Sequence, residues 1–246
     1  MVAVIGLRRV AWSSVSAAME TFEGLDHIQL FSGLNASQKA WIAARLYRRT
    51  FPEGMELMIA GTPGEVVYFI LSGTVKIYIP QINGTDVIVN LMGPGDTVGE
   101  LSVLDSAGRS ASVITLEETQ VAWMSRSHFQ EALQTIPDLS QNLLRILSGR
   151  LRRTTEQSQI LASLTIPERV VNQLLLIAEN YGRVRPEGIY IPIRLTQGEI
   201  AELVGASRKR VNQVMVSLKR SGLISSDAQA HITLHDAEAL KDWEEN

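Results

Sequence analysis

Apolar positions between about residue 22 and 136 come in short runs rich in β-branched side chains, broken at intervals by glycine. The stretch EVVYFILSGTVKIYIP reads as two strands joined at Ser72-Gly73, and IPQINGTDVIVNL carries Asn83-Gly84, a pair that accepts the positive φ of a tight hairpin. SASVITLEETQVAWMS adds a further pair of strands, turned at Glu117-Glu118. Several short strands at this spacing predict a β-barrel, a sandwich or a rolled-up relative. Helical patterning flanks them. NASQKAWIAARL precedes, with Asn35 or Ser37 as its cap, and SHFQEALQTI follows, with Ser127 in the same role.

Beyond Pro137 the period changes. DLSQNLLRILSGRLRRTTEQSQILASLT contains no proline, and Leu144, Leu147, Leu151, Thr154, Ser158, Leu161 and Thr165 alternate steps of three and four residues. That is the seam of a dimer-forming coiled-coil helix. Thr154 and Ser158 are polar at inward positions, with Thr155 beside the first; either they set register at some cost in stability or they serve another role. Pro167 breaks the helix, and a third unit follows. ERVVNQLLLIAENYG is an amphipathic helix, GIYIPIRL a strand, TQGEIAELVGASRKRVNQVMVSLKRSGLI two helices about a glycine, and SSDAQAHITLHD a turn and a last strand. The expected division is an extension over 1–21, a β-rich domain over 22–137, a dimerisation helix over 138–166 and a C-terminal domain over 167–246.

Composition narrows the classes. The chain has 246 residues, 45 % of them hydrophobic, enough to bury a substantial core. Its longest apolar runs fall far short of the ~20 residues of a membrane-spanning helix, which predicts a soluble protein. The absence of cysteine excludes disulfides, thiolate zinc sites, cysteine-ligated iron–sulfur clusters and a cysteine nucleophile. In MVAVIGLRRVAWSSVSAAME the arginines follow the apolar run instead of preceding it, so this is read as an added stretch and not a targeting peptide, with the cytoplasm as default location. A net charge of −3 provides no global basic field, so nucleic-acid binding requires a local patch.

Such a patch exists. Ile200, Ala201 and Leu203 point inward from one helix, the small Ala201 and the Val204-Gly205 turn allow a close helix crossing, and Ser207 caps the next helix. That helix opens with Arg208, Lys209 and Arg210, cations that oppose its own dipole and make sense if the target is negative. From Arg208 to Arg220 there are five cations and no acid. Arg208, Lys209 and Gln213 suit base edges, while Thr196, Gln197, Lys219 and Arg220 suit phosphates, and Ser221-Gly222 leads into a wing.

A second constellation lies in VGELSVLDSAGRSASV. Gly99, Glu100, Leu101 and Ser102 open a short helix whose free N–H groups attract an anion, and Arg109 with Ser110 adds a charged fork and a hydroxyl for the same anion. Glu100 would repel that anion, so it should accept from a neutral donor such as a ribose 2′-hydroxyl. Phosphate plus sugar describes a nucleotide.

Taken in order, LFSGL, GTPGEVVYFILSGTVKIYI, GPGDTVGELSVLD, GRSASV, the long helix and LTQGEIAELVGASRKRV resemble the bacterial cyclic-AMP receptor protein family, from about Leu30 to Leu234. The resemblance implies an α+β fold: an N-terminal cyclic-nucleotide-binding β-roll (a double-stranded jelly roll), a long dimerisation helix and a C-terminal winged helix-turn-helix. It implies a homodimer that binds inverted repeats in double-stranded DNA, acts with RNA polymerase and answers to cyclic AMP. By motif, Glu100 meets the ribose, Arg109 and Ser110 the cyclic phosphate, and Thr154 with Thr155 the adenine, one from each subunit. Two departures stand out. The loop from Glu100 to Arg109 is about one residue shorter than in the enterobacterial protein. The family's usual Arg-Glu-Thr becomes Arg208-Lys209-Arg210, which loses an acceptor for cytosine N4 and argues against the same DNA consensus. Cyclic GMP, another small molecule or no effector at all stays open.

Other classes fit less well. His27, His128, His231 and His235 include no convincing haem ligand, and HITLH reads as a strand and not as a helical metal pair. A cyclic-nucleotide module of an enzyme or channel is opposed by the helix-turn-helix. No nucleophile–base set marks an enzyme, and Glu117-Glu118 lacks a partner histidine.

Overall fold

The computed structural model describes residues 25–81 and 86–243. The proposed N-terminal extension and the Asn83-Gly84 turn lie outside the described residues. Helix α1 (Ala36–Ala43) is followed by strands β1 (Tyr47–Phe51), β2 (Glu56–Met58), β3 (Val66–Ser72), β4 (Val75–Pro80), β5 (Asp86–Met92) and β6 (Thr97–Val98). Short helix α2 (Leu101–Leu104), β7 (Ser112–Thr115), β8 (Thr119–Ser125) and α3 (Arg126–Thr135) complete the first part, and α4 (Pro137–Ser163) is the long helix. Then come α5 (Ile166–Tyr181), β9 (Arg183–Arg185), β10 (Gly188–Ile191), α6 (Gln197–Val204), α7 (Arg208–Arg220), β11 (Ile224–Ser226), β12 (Ile232–Leu234) and α8 (Ala237–Lys241).

Two antiparallel sheets, in the orders β1-β8-β3-β6 and β2-β7-β4-β5, face each other. Alternation along β3 explains the layering. Val67 and Phe69 point outward into a cluster with Phe31, Phe129, Leu139 and Leu143 under the helices. Ile70, one step out of phase, points inward to Val75, Val98 and Val113 between the sheets. Burying one Leu- or Phe-sized side chain in either layer contributes roughly 1.5–3 kcal/mol.

Two of the expected turns join strands of different sheets. The runs joined at Ser72-Gly73 do not pair as a hairpin, because β3 belongs to one sheet and β4 to the other. The same holds at Glu117-Glu118, where the chain passes from β7 in the second sheet to β8 in the first. Both turns carry the chain between layers, and a local pattern cannot distinguish that from a hairpin. By contrast β4 and β5, which flank Asn83-Gly84, do pair, from Val75 opposite Met92 to Pro80 opposite Asp86.

Caps decide the helix ends. Asn35, not Ser37, caps α1, in a reciprocal box with Gln38. Ser125, not Ser127, caps α3 by accepting from the His128 N–H. The coiled-coil seam also ends early: α4 stops at Ser163, and Thr165 instead opens α5 in a capping box with Glu168. Along α4, Leu144, Leu151 and Leu161 are 64 %, 69 % and 45 % exposed, an apolar stripe that the described residues leave uncovered.

In the last part, α5, α6 and α7 share one core that includes Val170, Leu174, Leu203, Val211 and Leu218, closed by the small sheet β11-β12-β10-β9. Gly205 ends α6 at φ 61°, the left-handed conformation that the sharp turn into α7 requires. HITLH centres on strand β12 and not on a helix, as expected, with a histidine at each end: His231 bonds to Asp227 and His235 to the Glu187 carbonyl and the Ser225 hydroxyl. Ile88 and Leu91 of β5 belong to this same C-terminal core, so the two parts are packed together.

Candidate functional site

A cavity of about 470 Å³ opens beside the second sheet. The loop from Gly99 to Ser110 forms one wall, Arg150, Arg153 and Thr154 of α4 another, and Arg169, Leu176 and Leu203 of α5 and α6 the far end. Its size is in the range of small-ligand sites.

Arg109 is 7 % exposed. Its Nη1 donates to the Gly99 carbonyl and the Ser102 hydroxyl, both at 2.8 Å, and its Nη2 to the Val66 carbonyl at 2.7 Å. Backbone bonds pin the loop beneath it: Arg109 N–H donates to the Thr62 carbonyl and Gly61 N–H to the Arg109 carbonyl. Gly99 makes the room. Its φ is +88°, and a Cβ there would lie 2.5 Å from Arg109 Nη1. The fork expected to reach an anion is thus largely engaged by the protein's own oxygens, and Ser110 beside it is exposed.

Glu100 is 2 % exposed, and its Oε1 accepts from Arg150 Nη1 at 2.5 Å. Arg150 Nη2 also donates to the Thr97 carbonyl at 2.6 Å. Burial pushes the Glu100 carboxyl above its ordinary range, and the positive charges of Arg150 and Arg109 draw it partly back. The other oxygen, Oε2, is buried and has no hydrogen-bond partner among the described residues. Glu100 was expected to accept from a neutral donor, and in the structure it accepts from a charged one, Arg150, which the sequence reading missed. One signal was available: Arg150 lies one turn before Thr154 on the helix assigned to the ligand.

Thr154 and Thr155 are exposed, and their hydroxyls bond back to the carbonyls of Arg150 and Leu151. Thr154 lines the cavity. Leu101 is exposed while Ser102 is buried against Arg109.

The second site is the surface of α7. Ser207 caps it by accepting from the Arg210 N–H, and Val211, Val214, Met215 and Leu218 turn inward. Arg208, Lys209 and Gln213 face solvent together. Arg210 is half-buried and donates to Gln213 Oε1 at 3.3 Å. Lys219 donates to Ser226 of β11 at 2.6 Å, tying the helix end to the wing, and Arg220 beside it is exposed. Thr196 caps α6 in a box with Glu199, and Gln197 is the first residue of that helix.

The comparisons with known proteins agree with this geometry. Residues 48–136 match the family model for a cyclic nucleotide-binding domain, and residues 168–243 match that for a Crp-like helix-turn-helix domain. The chain is 35 % identical over 211 residues to a CRP-like cAMP-activated global transcriptional regulator of Mycobacterium tuberculosis, covering 86 % of this chain and 94 % of that protein. It is 29 % identical to the cAMP-activated global transcriptional regulator CRP of Salmonella typhimurium, over 76 % of this chain and 89 % of that one. Among solved structures, the c-di-GMP responsive global regulator CLP of Xanthomonas campestris superposes with a TM-score of 0.69 at 25 % identity, over 82 % of this chain and all of that one. Among the described residues no helix is long and apolar enough to cross a membrane. Two domain matches in this order, on either side of a long helix with an uncovered apolar stripe, place the chain in the CRP/FNR family of transcription regulators, with a cyclic nucleotide-binding domain ahead of a DNA-binding helix-turn-helix.

Proposed function

We propose that the protein is a cytoplasmic homodimer that binds inverted repeats in double-stranded DNA, contacts RNA polymerase there, and is switched by cyclic AMP. The observation that carries this reading is the burial of Glu100 and Arg109 side by side at the wall of one cavity that α4, α5 and α6 also line. Buried charges of opposite sign that contact a cavity suit a ligand with a hydroxyl-bearing sugar and an anionic phosphate. Thr154 and Thr155 lie near the exposed leucine stripe of α4, so a second copy docked there would bring its own hydroxyls to the base. Cyclic AMP is favoured over cyclic GMP by the names of the curated relatives, and cyclic di-GMP is the rival suggested by the CLP structure.

Calorimetric titration with the three cyclic nucleotides, followed by DNA binding with and without each, tests the reading. Cyclic AMP should bind and raise DNA affinity; response to another nucleotide alone reassigns the effector, and response to none removes it.

For the DNA face, two recognition helices must sit about one helical turn apart, roughly 34 Å, to engage both half-sites. Arg208→Ala should cost roughly 1–3 kcal/mol and relax preference at one position per half-site. Lys219→Ala should weaken all sequences alike and flatten the salt dependence. Binding-site selection at two salt concentrations separates the two outcomes, and equal loss of base preference in both variants would refute the division.

A further inference from the structure

The connection between β5 and β6, Gly93-Pro94-Gly95-Asp96, touches the cavity machinery at one end and the DNA-binding unit at the other. At the cavity end, Thr97 and Glu100 accept from the two arms of Arg150. At the other end Tyr181, the last residue of α5, occupies the place where a side chain at position 93 would stand. A Cβ built on Gly93 would lie 2.5 Å from Tyr181 Cε1. The Tyr181 hydroxyl donates to the Leu91 carbonyl at 2.8 Å. Between the two ends sits Asp96, which accepts from the Gly93 N–H and whose charge faces Arg150, Arg153 and Tyr181.

Around this seat the helix-turn-helix is docked on the β-roll. Ile88 and Leu91 lie in the core of α5, α6 and α7, and Arg194 pairs with Glu53 at 3.2 Å. Glu202 of α6 faces Lys76 and Asp86, with one carboxylate oxygen buried and without a hydrogen bond among the described residues.

We infer that Tyr181, seated at Gly93, is the positioning residue through which the cavity holds the DNA-binding unit, and that this seating belongs to the low-affinity form for DNA. The inference rests on the cyclic-nucleotide reading above. With Tyr181 seated, the Arg109 donors lie on Gly99, Ser102 and Val66, and those of Arg150 on Glu100 and Thr97. A phosphate on Arg109 and a ribose on Glu100 compete with those bonds. Winning that competition displaces residues 97–100, and the connection that forms the seat moves with them. A ligand shifts such an equilibrium only by its differential contacts with the two forms, and these residues supply the difference.

Gly93→Ala and Tyr181→Phe test this. Residue 93 has no positive φ, so alanine is tolerated by the backbone there and conflicts only with the Tyr181 ring. Gly93→Ala should raise DNA affinity measured without cyclic AMP by about tenfold, within the 5–150-fold span of allosteric couplings, and shrink the gain on adding it. By reciprocity its affinity for cyclic AMP should rise. Tyr181→Phe, which keeps the ring and loses the donor, should move both quantities the same way by less. A thermal melt shows whether each variant is folded. A folded Gly93→Ala protein with the wild-type DNA affinities, free and loaded, overturns the inference; if it does not fold, unchanged affinities in Tyr181→Phe do so. If the wild-type protein ignores cyclic AMP, the effector reading fails, while the rise in ligand-free DNA affinity of Gly93→Ala still decides the seat.

Discussion

Arg150→Ala should destabilise the fold by about 3–5 kcal/mol, the range for removing one partner of a buried ion pair. Glu100 has a side chain only 3 % exposed, and Arg150, at 18 %, is the cation that neutralises it. Without that guanidinium the carboxylate keeps its own backbone N–H bond and the weaker pull of Arg109, and the Thr97 carbonyl loses the Arg150 donor as well. The loss should depend on pH with a definite sign. Burial already raises the folded carboxyl above its unfolded value, so its contribution to stability is fully present below the ordinary carboxylate range and is lost as pH rises through the raised value. Removing Arg150 raises it further. The variant should therefore lie closest to wild type in acid and furthest from it near neutrality, whereas Glu100→Gln should flatten this part of the curve. Denaturant melts across a pH series read both effects, and a pH-independent loss in Arg150→Ala would mean that packing and not charge makes the pair matter.

Arg109→Ala should reduce cyclic AMP affinity at least tenfold, from loss of a charged hydrogen bond worth roughly 1.5–3 kcal/mol. It should also lower stability, because the Gly99 and Val66 carbonyls and the Ser102 hydroxyl lose their shared donor. Arg109→Lys separates the two roles. A lysine retains the charge for a phosphate but cannot reach three oxygens in a fixed fork, so it should recover more affinity than stability. Calorimetry and melting on the same samples make the comparison. A folded Arg109→Ala protein with undiminished cyclic AMP binding would remove Arg109 from the ligand site.

The outcomes at individual residues follow a physical line. Ser125 and Ser127 are two residues apart, and either can cap a helix. Ser125 does so because β8 stays paired with β3 as far as Ser125 opposite Val66, which sets where the chain leaves the sheet. Thr165 fits a heptad seam by spacing, but its hydroxyl and N–H both bond Glu168, and that local box starts a new helix.

The sequence by itself determined the features whose causes lie within a few residues. These are the strand-rich first part, the long amphipathic helix, the Ser207 cap and Gly205 turn of the helix-turn-helix, and the cationic opening of α7. Each depends on periodicity, capping or a turn conformation that neighbouring side chains dictate. Only the tertiary structure decided which sheet each strand joins, the pairing of Glu100 with Arg150 across 50 positions, and the seat of Tyr181 on Gly93. Those contacts join residues far apart in the chain, and packing the two sheets, α4 and the helix-turn-helix against one another selects them. A local pattern carries no term for that selection, since the same glycine or arginine reads alike whether it faces water or a partner brought in from another domain.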